Sequence, residues 1–178
     1  MSAEMLVSLL LTTMTAATPL LLAALGELVV ERAGVLNLGV EGMMLTGAVS
    51  GFAVMSLTGS PWLAVLAAIV AGALLAAIFG FLVLNLMSNQ VATGLALTIF
   101  GTGLSALIGT GFTGHPVPAL AKLAIPGLSA VPLLGRLFEQ DALVYLATIA
   151  VAAIAWFLKS TRGGLILRAV GEADLSAH

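Results

Sequence analysis

The stretch "WLAVLAAIVAGALLAAIFGFLVLNLM", Trp62 to Met87, holds no ionisable side chain. Roughly 20 apolar residues are enough to cross the hydrocarbon core of a bilayer, and this run is long enough to cross it with tilt. It predicts a transmembrane helix. Four further runs have the same character: Leu6 to Leu25 with Pro19 inside it as a kink point, Met43 to Leu57 at about three-quarters of the needed length, Val91 to Gly111, and Ala142 to Leu158. The expected fold is an all-α membrane protein, a polytopic transmembrane helix bundle of about five spans. Composition agrees. Of 178 residues 61% are hydrophobic and 8% charged, against about 25% charged in a soluble domain. The surplus apolar surface has to face lipid.

Composition also excludes. A net charge of -2 leaves no electrostatic footprint for nucleic acid. With no cysteine, disulfides, thiolate metal sites and Cys nucleophiles are ruled out. The first segment does not read as a signal peptide, because it lacks a basic n-region, carries Glu4 and stays apolar beyond the usual length.

One segment breaks the pattern. "GELVVERAGVLNLGVEGMM", residues 26–44, places Glu27, Glu31, Arg32 and Glu41 between apolar runs. Each charge at the bilayer centre costs about 2.5–3.5 kcal/mol on insertion scales. A plain lipid-facing helix through 26–42 is therefore excluded. Gly34, Gly39 and Gly42 relax the backbone there, which predicts a broken or re-entrant segment near 26–42. In any helical part, Gly34, Asn37 and Glu41 would share a face. Broken helices near membrane depth build substrate sites from freed backbone groups; a solvated cytoplasmic loop explains the charges equally well.

Small residues at four-residue spacing suit close helix contact in lipid: Gly47 with Gly51, the series Gly101, Ser105, Gly109, and Ala73 with Ala77. Trp62 and Trp156 sit near span ends, where interfacial aromatics gather. Residues 113–141 contain Pro116, Pro118, Pro126 and Pro132, too many for one helix, and read as a loop on the membrane surface with one short helix. Lys159, Arg162 and Arg168 follow the fifth run closely, so the positive-inside rule puts the tail in the cytoplasm. Counting back puts Arg32 and Ser88-Asn89-Gln90 on the same side, with 113–141 and the N-terminus outside.

"PLLLAALGELVVERAGVLNLGVEGMML", "NQVATGLALTIFGTGLSALIG", "IPGLSAVPLLGRLFEQDALVYLA" and "LKSTRGGLILRAVGEADLSAH" together resemble the ABC-transporter permeases for nucleosides and simple sugars, the branch related to ribose permeases. The likeness runs in order along nearly the whole chain. In the last segment the chain keeps Thr161, Arg162, Gly164, Leu165, Leu167, Arg168, Ala169, Val170, Gly171 and Glu172 of the family pattern. It departs at Gly163, where an aromatic is usual, and at Ala173-Asp174, where Asn-Pro is usual.

The resemblance implies a single transmembrane permease domain over 1–178, incomplete at the C-terminus, with 159–178 beginning a cytoplasmic coupling loop. Arg162, Gly164, Arg168, Ala169, Gly171 and Glu172 are then the residues for coupling to an ABC ATPase subunit. It implies further a second permease subunit (homo- or heterodimer), an external substrate-binding protein, and a multi-pass location in a bacterial inner membrane. ATP and magnesium would sit on the partner ATPase and no cofactor on this chain, which has no G-x-x-x-x-G-K-[ST]. Asn37 and Glu41 are candidates for the substrate path, because ribose hydroxyls need donors and acceptors. Asn89 and Gln90 are further candidates that equally suit a cap on the fourth span.

Two other classes compete. A stand-alone secondary transporter or channel would favour ionisable residues inside the spans, and Trp62–Met87 and Val91–Gly111 have none. An intramembrane enzyme or metal site would have to use His115, His178, Asp141 and Asp174. There is no H-E-x-x-H, the two aspartates lie outside the spans on opposite expected sides, and His115 reads as a loop residue.

Overall fold

The computed structural model describes residues 2–114, 116–118, 120–124 and 135–172. It is mostly helical, with five helices long and apolar enough to cross a membrane. They are α1 (Ala3–Arg32), α2 (Val40–Thr58), α3 (Pro61–Gly80) continued by a π-turn (Phe81–Asn85), α4 (Gln90–Thr110) and α5 (Ala142–Ser160). A shorter α6 (Arg162–Glu172) follows α5, and two three-residue strands, β1 (Lys122–Ala124) and β2 (Glu139–Asp141), precede it. The chain divides into two compact units, one of Met1–Gly34 with Leu120–His178 and one of Val35–Ala119.

In the first unit, α1 packs against α5. It does not stop at Leu25 as its hydropathy suggested but runs unbroken through Pro19 to Arg32. At 1.5 Å per residue its 30 residues reach about 45 Å, against about 30 Å of hydrocarbon. The apolar run Leu6–Leu25 is by itself long enough to fill that core, so the turns bearing Glu27, Glu31 and Arg32 need no place in it. The charges thus sit on a helix longer than the hydrocarbon is thick, and the break is narrower than 26–42. Thr12, Thr13, Thr15 and Thr18 each donate their hydroxyl to the carbonyl four residues back, so these polar groups can face lipid or protein without an outside partner.

The segment 113–141 holds a feature its proline content hid. β1 and β2 pair antiparallel, with Lys122 opposite Asp141 and Ala124 opposite Glu139. A short 3₁₀ turn, Gly135–Phe138, leads into β2. Tyr145 ties the hairpin to α5: its hydroxyl lies 2.6 Å from the Phe138 carbonyl and 3.3 Å from that of Leu123. Asp141 caps α5, its carboxylate accepting from the backbone N–H of Leu143 and Val144. Pro126, Pro132 and His115 lie outside the described residues.

In the second unit, α2 packs against α3 and α4 through backbone approach. A Cβ added to Gly47 would lie 3.2 Å from the Ala68 carbonyl, and one on Gly51 3.1 Å from that of Ala64. The expected Gly47/Gly51 pair is thus the face that meets α3. The α2–α4 crossing is closer still. Gly42 and Gly101 face each other with no room for a methyl group on either, the nearest obstacles being the partner helix's own backbone. The Ala73/Ala77 pair, by contrast, is exposed. The core of this unit is Phe79, Val83 and Leu97 with Val35 and Met43 packed on it. Between α3 and α4 the chain turns through Met87 at φ 53°, and the Ser88 hydroxyl bonds the Leu82 carbonyl at 2.8 Å while meeting the Thr93 hydroxyl at 2.9 Å.

Candidate functional site

Two places carry the candidate residues, one in each unit. The first is the break between α1 and α2. Helix α1 ends at Ala33 and Gly34, the latter at φ +79°, a backbone region that glycine enters without cost. Helical hydrogen bonding resumes at Val40. Asn37 therefore lies between the two helices and shares no helical face with Glu41, which stands exposed in the first turn of α2.

Asn37 is 7% exposed. Its Oδ1 accepts from the Gly39 N–H at 2.9 Å, and its Nδ2 lies 3.7 Å from the Met43 sulfur. The side chain closes an Asx-type turn, satisfying a backbone donor that the broken helix leaves over. The rest of the segment is fastened to α4. The Gln90 side-chain carbonyl accepts from the Leu36 N–H at 2.8 Å, and the Thr98 hydroxyl donates to the Leu38 carbonyl at 2.8 Å. Gly94 makes the approach possible, since a Cβ there would lie 2.8 Å from the Leu38 nitrogen. Asn89 caps α4 by accepting from the Ala92 N–H.

Of the four residues read as substrate-path candidates, Asn37 and Gln90 hold the break in shape and Asn89 caps a span. Glu41 stands exposed and makes none of these fastening bonds. Sequence reasoning missed Thr98 and Gly94. Their signal was present only as a small and a hydroxyl residue four apart on one face of the fourth span.

The second place is α6. The chain turns sharply out of α5 at Thr161, whose own N–H is bonded to the Phe157 carbonyl and whose hydroxyl accepts from the Gly164 N–H at 3.0 Å. Four residues make the inner face of α6: Gly164 is buried, and Leu167, Arg168 and Gly171 are half-buried. The Arg168 Nε is buried with no hydrogen-bond partner among the described residues. The outer face is Arg162, Leu165, Ile166, Ala169 and Val170, all exposed. The spacing is that of an amphipathic helix with its larger apolar side chains turned outward.

The six coupling candidates therefore divide. Arg162 and Ala169 lie on the outer face, Glu172 is exposed at its end, and Gly164, Arg168 and Gly171 face inward. Leu165, Ile166 and Val170 complete the outer face and were not singled out from sequence, although plotting 162–172 on a helix would have grouped them. Gly171 also touches the end of α1: a Cβ there would lie 2.9 Å from the Gly34 nitrogen and 3.0 Å from the Ala33 carbonyl carbon. The C-terminal ends of α1 and α5 thus meet on one side, as two odd-numbered spans must. Among the described residues no three His, Asp or Glu side chains come together to hold a metal.

Five apolar spans, a fastened break after the first and an amphipathic helix seated at the ends of two spans are the parts of a multi-pass membrane protein. Comparison with known proteins gives the family. Residues 9–177 match the family described as branched-chain amino acid transport system / permease component, and the chain belongs to it. It is 47% identical over 92% of its length to a Haloferax volcanii protein provisionally named a glucose ABC transporter permease, TsgC13, of which it covers 51%. It is 36% identical over 93% of its length to the guanosine ABC transporter permease NupQ of Bacillus subtilis, covering 56% of that protein. To the nucleoside ABC transporter permease NupC of Lactococcus lactis it is 33% identical over 90% of its length, covering 54%. The chain spans about half the length of the curated relatives it matches. No solved structure matches it significantly.

Proposed function

We propose that this chain is part of the membrane-spanning permease subunit of an ATP-driven ABC importer that moves a nucleoside or a simple sugar across a prokaryotic cell membrane, the inner membrane in a bacterium. The observation that carries the reading is α6. It is short, amphipathic, fixed to the ends of two spans, and presents Leu165, Ile166 and Val170 away from the protein. An exposed apolar strip flanked by Arg162 and Glu172 suits a groove on an ATPase subunit. ATP and magnesium are held by that partner, a second permease subunit completes the path, and an external binding protein delivers the solute. Nucleotide-driven movement of the ATPase would act on α6 and shift the spans between inward- and outward-open states.

The printed names of the relatives support a nucleoside or glucose as cargo. A secondary transporter gains no support from the spans, for no Asp, Glu, Lys or Arg occurs between Glu41 and Lys122 and ion relays are built from such groups. In the break, Glu41 is the side chain most available to a solute hydroxyl.

The test is Ile166→Glu with Val170→Glu in the full-length protein, measuring co-purification of the ATPase and ATP-dependent uptake in proteoliposomes. Both are expected to fall at least about tenfold, as for loss of central apolar anchors in an interface. Unchanged assembly and uptake would refute docking through this face.

A further inference from the structure

α6 is held to the first unit at two points, each a glycine laid on the backbone of a different span. Gly164 lies against the Phe157 carbonyl and the Leu158 Cα in the last turns of α5, and a Cβ there would be 2.7 Å from the latter. Seven residues on, Gly171 lies against the Arg32 carbonyl and the Gly34 nitrogen at the end of α1. Two helical turns separate the two glycines, so they fall on the same face. At both glycines backbone meets backbone with no intervening side chain. Gly34 is shaped to match: its own φ of +79° turns the chain away at the point of contact, and the Gly171 Cα is 3.2 Å from where its Cβ would stand. A flexible side chain at such a joint would yield under load. Two backbones in direct contact cannot be pressed closer, because packed interiors have low compressibility.

We infer that Gly164 and Gly171 are positioning residues that clamp α6 to α5 and α1 at once, so that displacement of α6 by a partner moves the inner ends of both spans as one body. The clamp rests on the reading of α6 as the ATPase-docking helix and goes beyond it. Docking needs only the outer face, whereas transmission needs the inner one. It also gives the exposed outer glycine, Gly163, a different standing from its two neighbours in kind: the nearest obstacle to a Cβ there is the Phe157 ring at 3.3 Å, a side chain that can move aside.

The experiment uses the full-length permease assembled with its ATPase in proteoliposomes, reading solute uptake and ATP hydrolysis together. Gly171→Ala is expected to keep ATPase co-purification and hydrolysis while uptake per ATP falls about tenfold, the size of an ordinary coupling free energy. Gly163→Ala, which raises helix propensity by the same amount, is expected to keep the parental ratio. A parental ratio in Gly171→Ala, or an equal loss in Gly163→Ala, overturns the clamp.

A second measurement leaves the joint intact. Spin labels at Glu31→Cys and Glu172→Cys, both exposed, report the α1–α6 separation by pulsed EPR. The clamp requires one unchanged distance in the nucleotide-free and ATP-bound complexes, and a shift between them overturns it even if Gly171→Ala does not fold. The docking reading fails separately, through retained assembly in Ile166→Glu with Val170→Glu.

Discussion

The unit formed by Met1–Gly34 and Leu120–His178 and the unit formed by Val35–Ala119 are built from the same kind of helix and held by different means. Of six basic and eight acidic side chains only Glu41 belongs to the second unit. That unit coheres through glycines laid on neighbouring backbones: Gly42 on Gly101, Gly47 on Ala68, Gly94 on Leu38. The first unit keeps such backbone approach to the two ends of α6 and adds side-chain polar groups at helix ends: Asp141 as a cap, Tyr145 across the hairpin and Thr161 at the α5–α6 corner. The difference follows the solvent. Lipid gives no hydrophobic drive between helices, so close packing must supply the attraction. At the headgroups water competes for every backbone donor and acceptor, and caps decide where a helix stops.

The comparison is easiest to break at the α2–α4 crossing. Gly101→Leu places a side chain against the Gly42 backbone and should cost about 3 kcal/mol, the upper part of the range for overpacking, or abolish accumulation of the protein. Gly103→Leu, two residues away with open space around its Cβ position, should leave thermal stability in detergent near the parent's. Equal effects at the two positions would mean that backbone approach does not hold this unit. In the first unit, Tyr145→Phe removes the hydroxyl that joins Phe138 and Leu123 to α5 and should cost about 1–2 kcal/mol, read as a lower melting temperature and faster amide exchange at Leu123 and Phe138. Asp141→Ala should cost about 1 kcal/mol through the lost cap. The smallest change runs the other way: Met87→Gly relieves a positive φ and should raise stability by up to about 1 kcal/mol.

The five spans were legible because each is a run of apolar residues long enough to cross lipid, and hydropathy responds to exactly that property. The Gly47/Gly51 face was legible from spacing. Their ends were less so. Hydropathy placed the end of α1 at Leu25 because it treats Glu27 as leaving the membrane, while the helix, whose hydrogen bonds do not depend on lipid, continues to Arg32. The same confusion of helix with span made the break look as wide as 26–42. The Gly42–Gly101 contact joins residues far apart in sequence, and no local pattern marks which of the many glycines will meet. The β1–β2 pair was obscured by the prolines around it, and only six residues make it.

At the candidate site the residue types were legible, and so was the cap on the fourth span, which Asn89 makes; the fastening of the break by Asn37 and Gln90 was not. Asn37, Asn89 and Gln90 stood out as polar groups in apolar surroundings, but a polar side chain in that setting serves the backbone as readily as a solute. Arg168 stood out for its charge, and the structure turns it inward on α6.

The turn at Asn37 spans two residues, from its Oδ1 to the Gly39 N–H, whereas the bond from Gln90 to Leu36 joins residues 54 apart. A chain threaded into the bilayer from its N-terminus therefore has the bend ready while the third and fourth crossings are still being synthesised, and latches it only after α4 arrives. The Gly39 N–H is satisfied as soon as the bend is made, while the Leu36 N–H waits for Gln90, because closing a loop of that length costs more entropy than closing a two-residue turn.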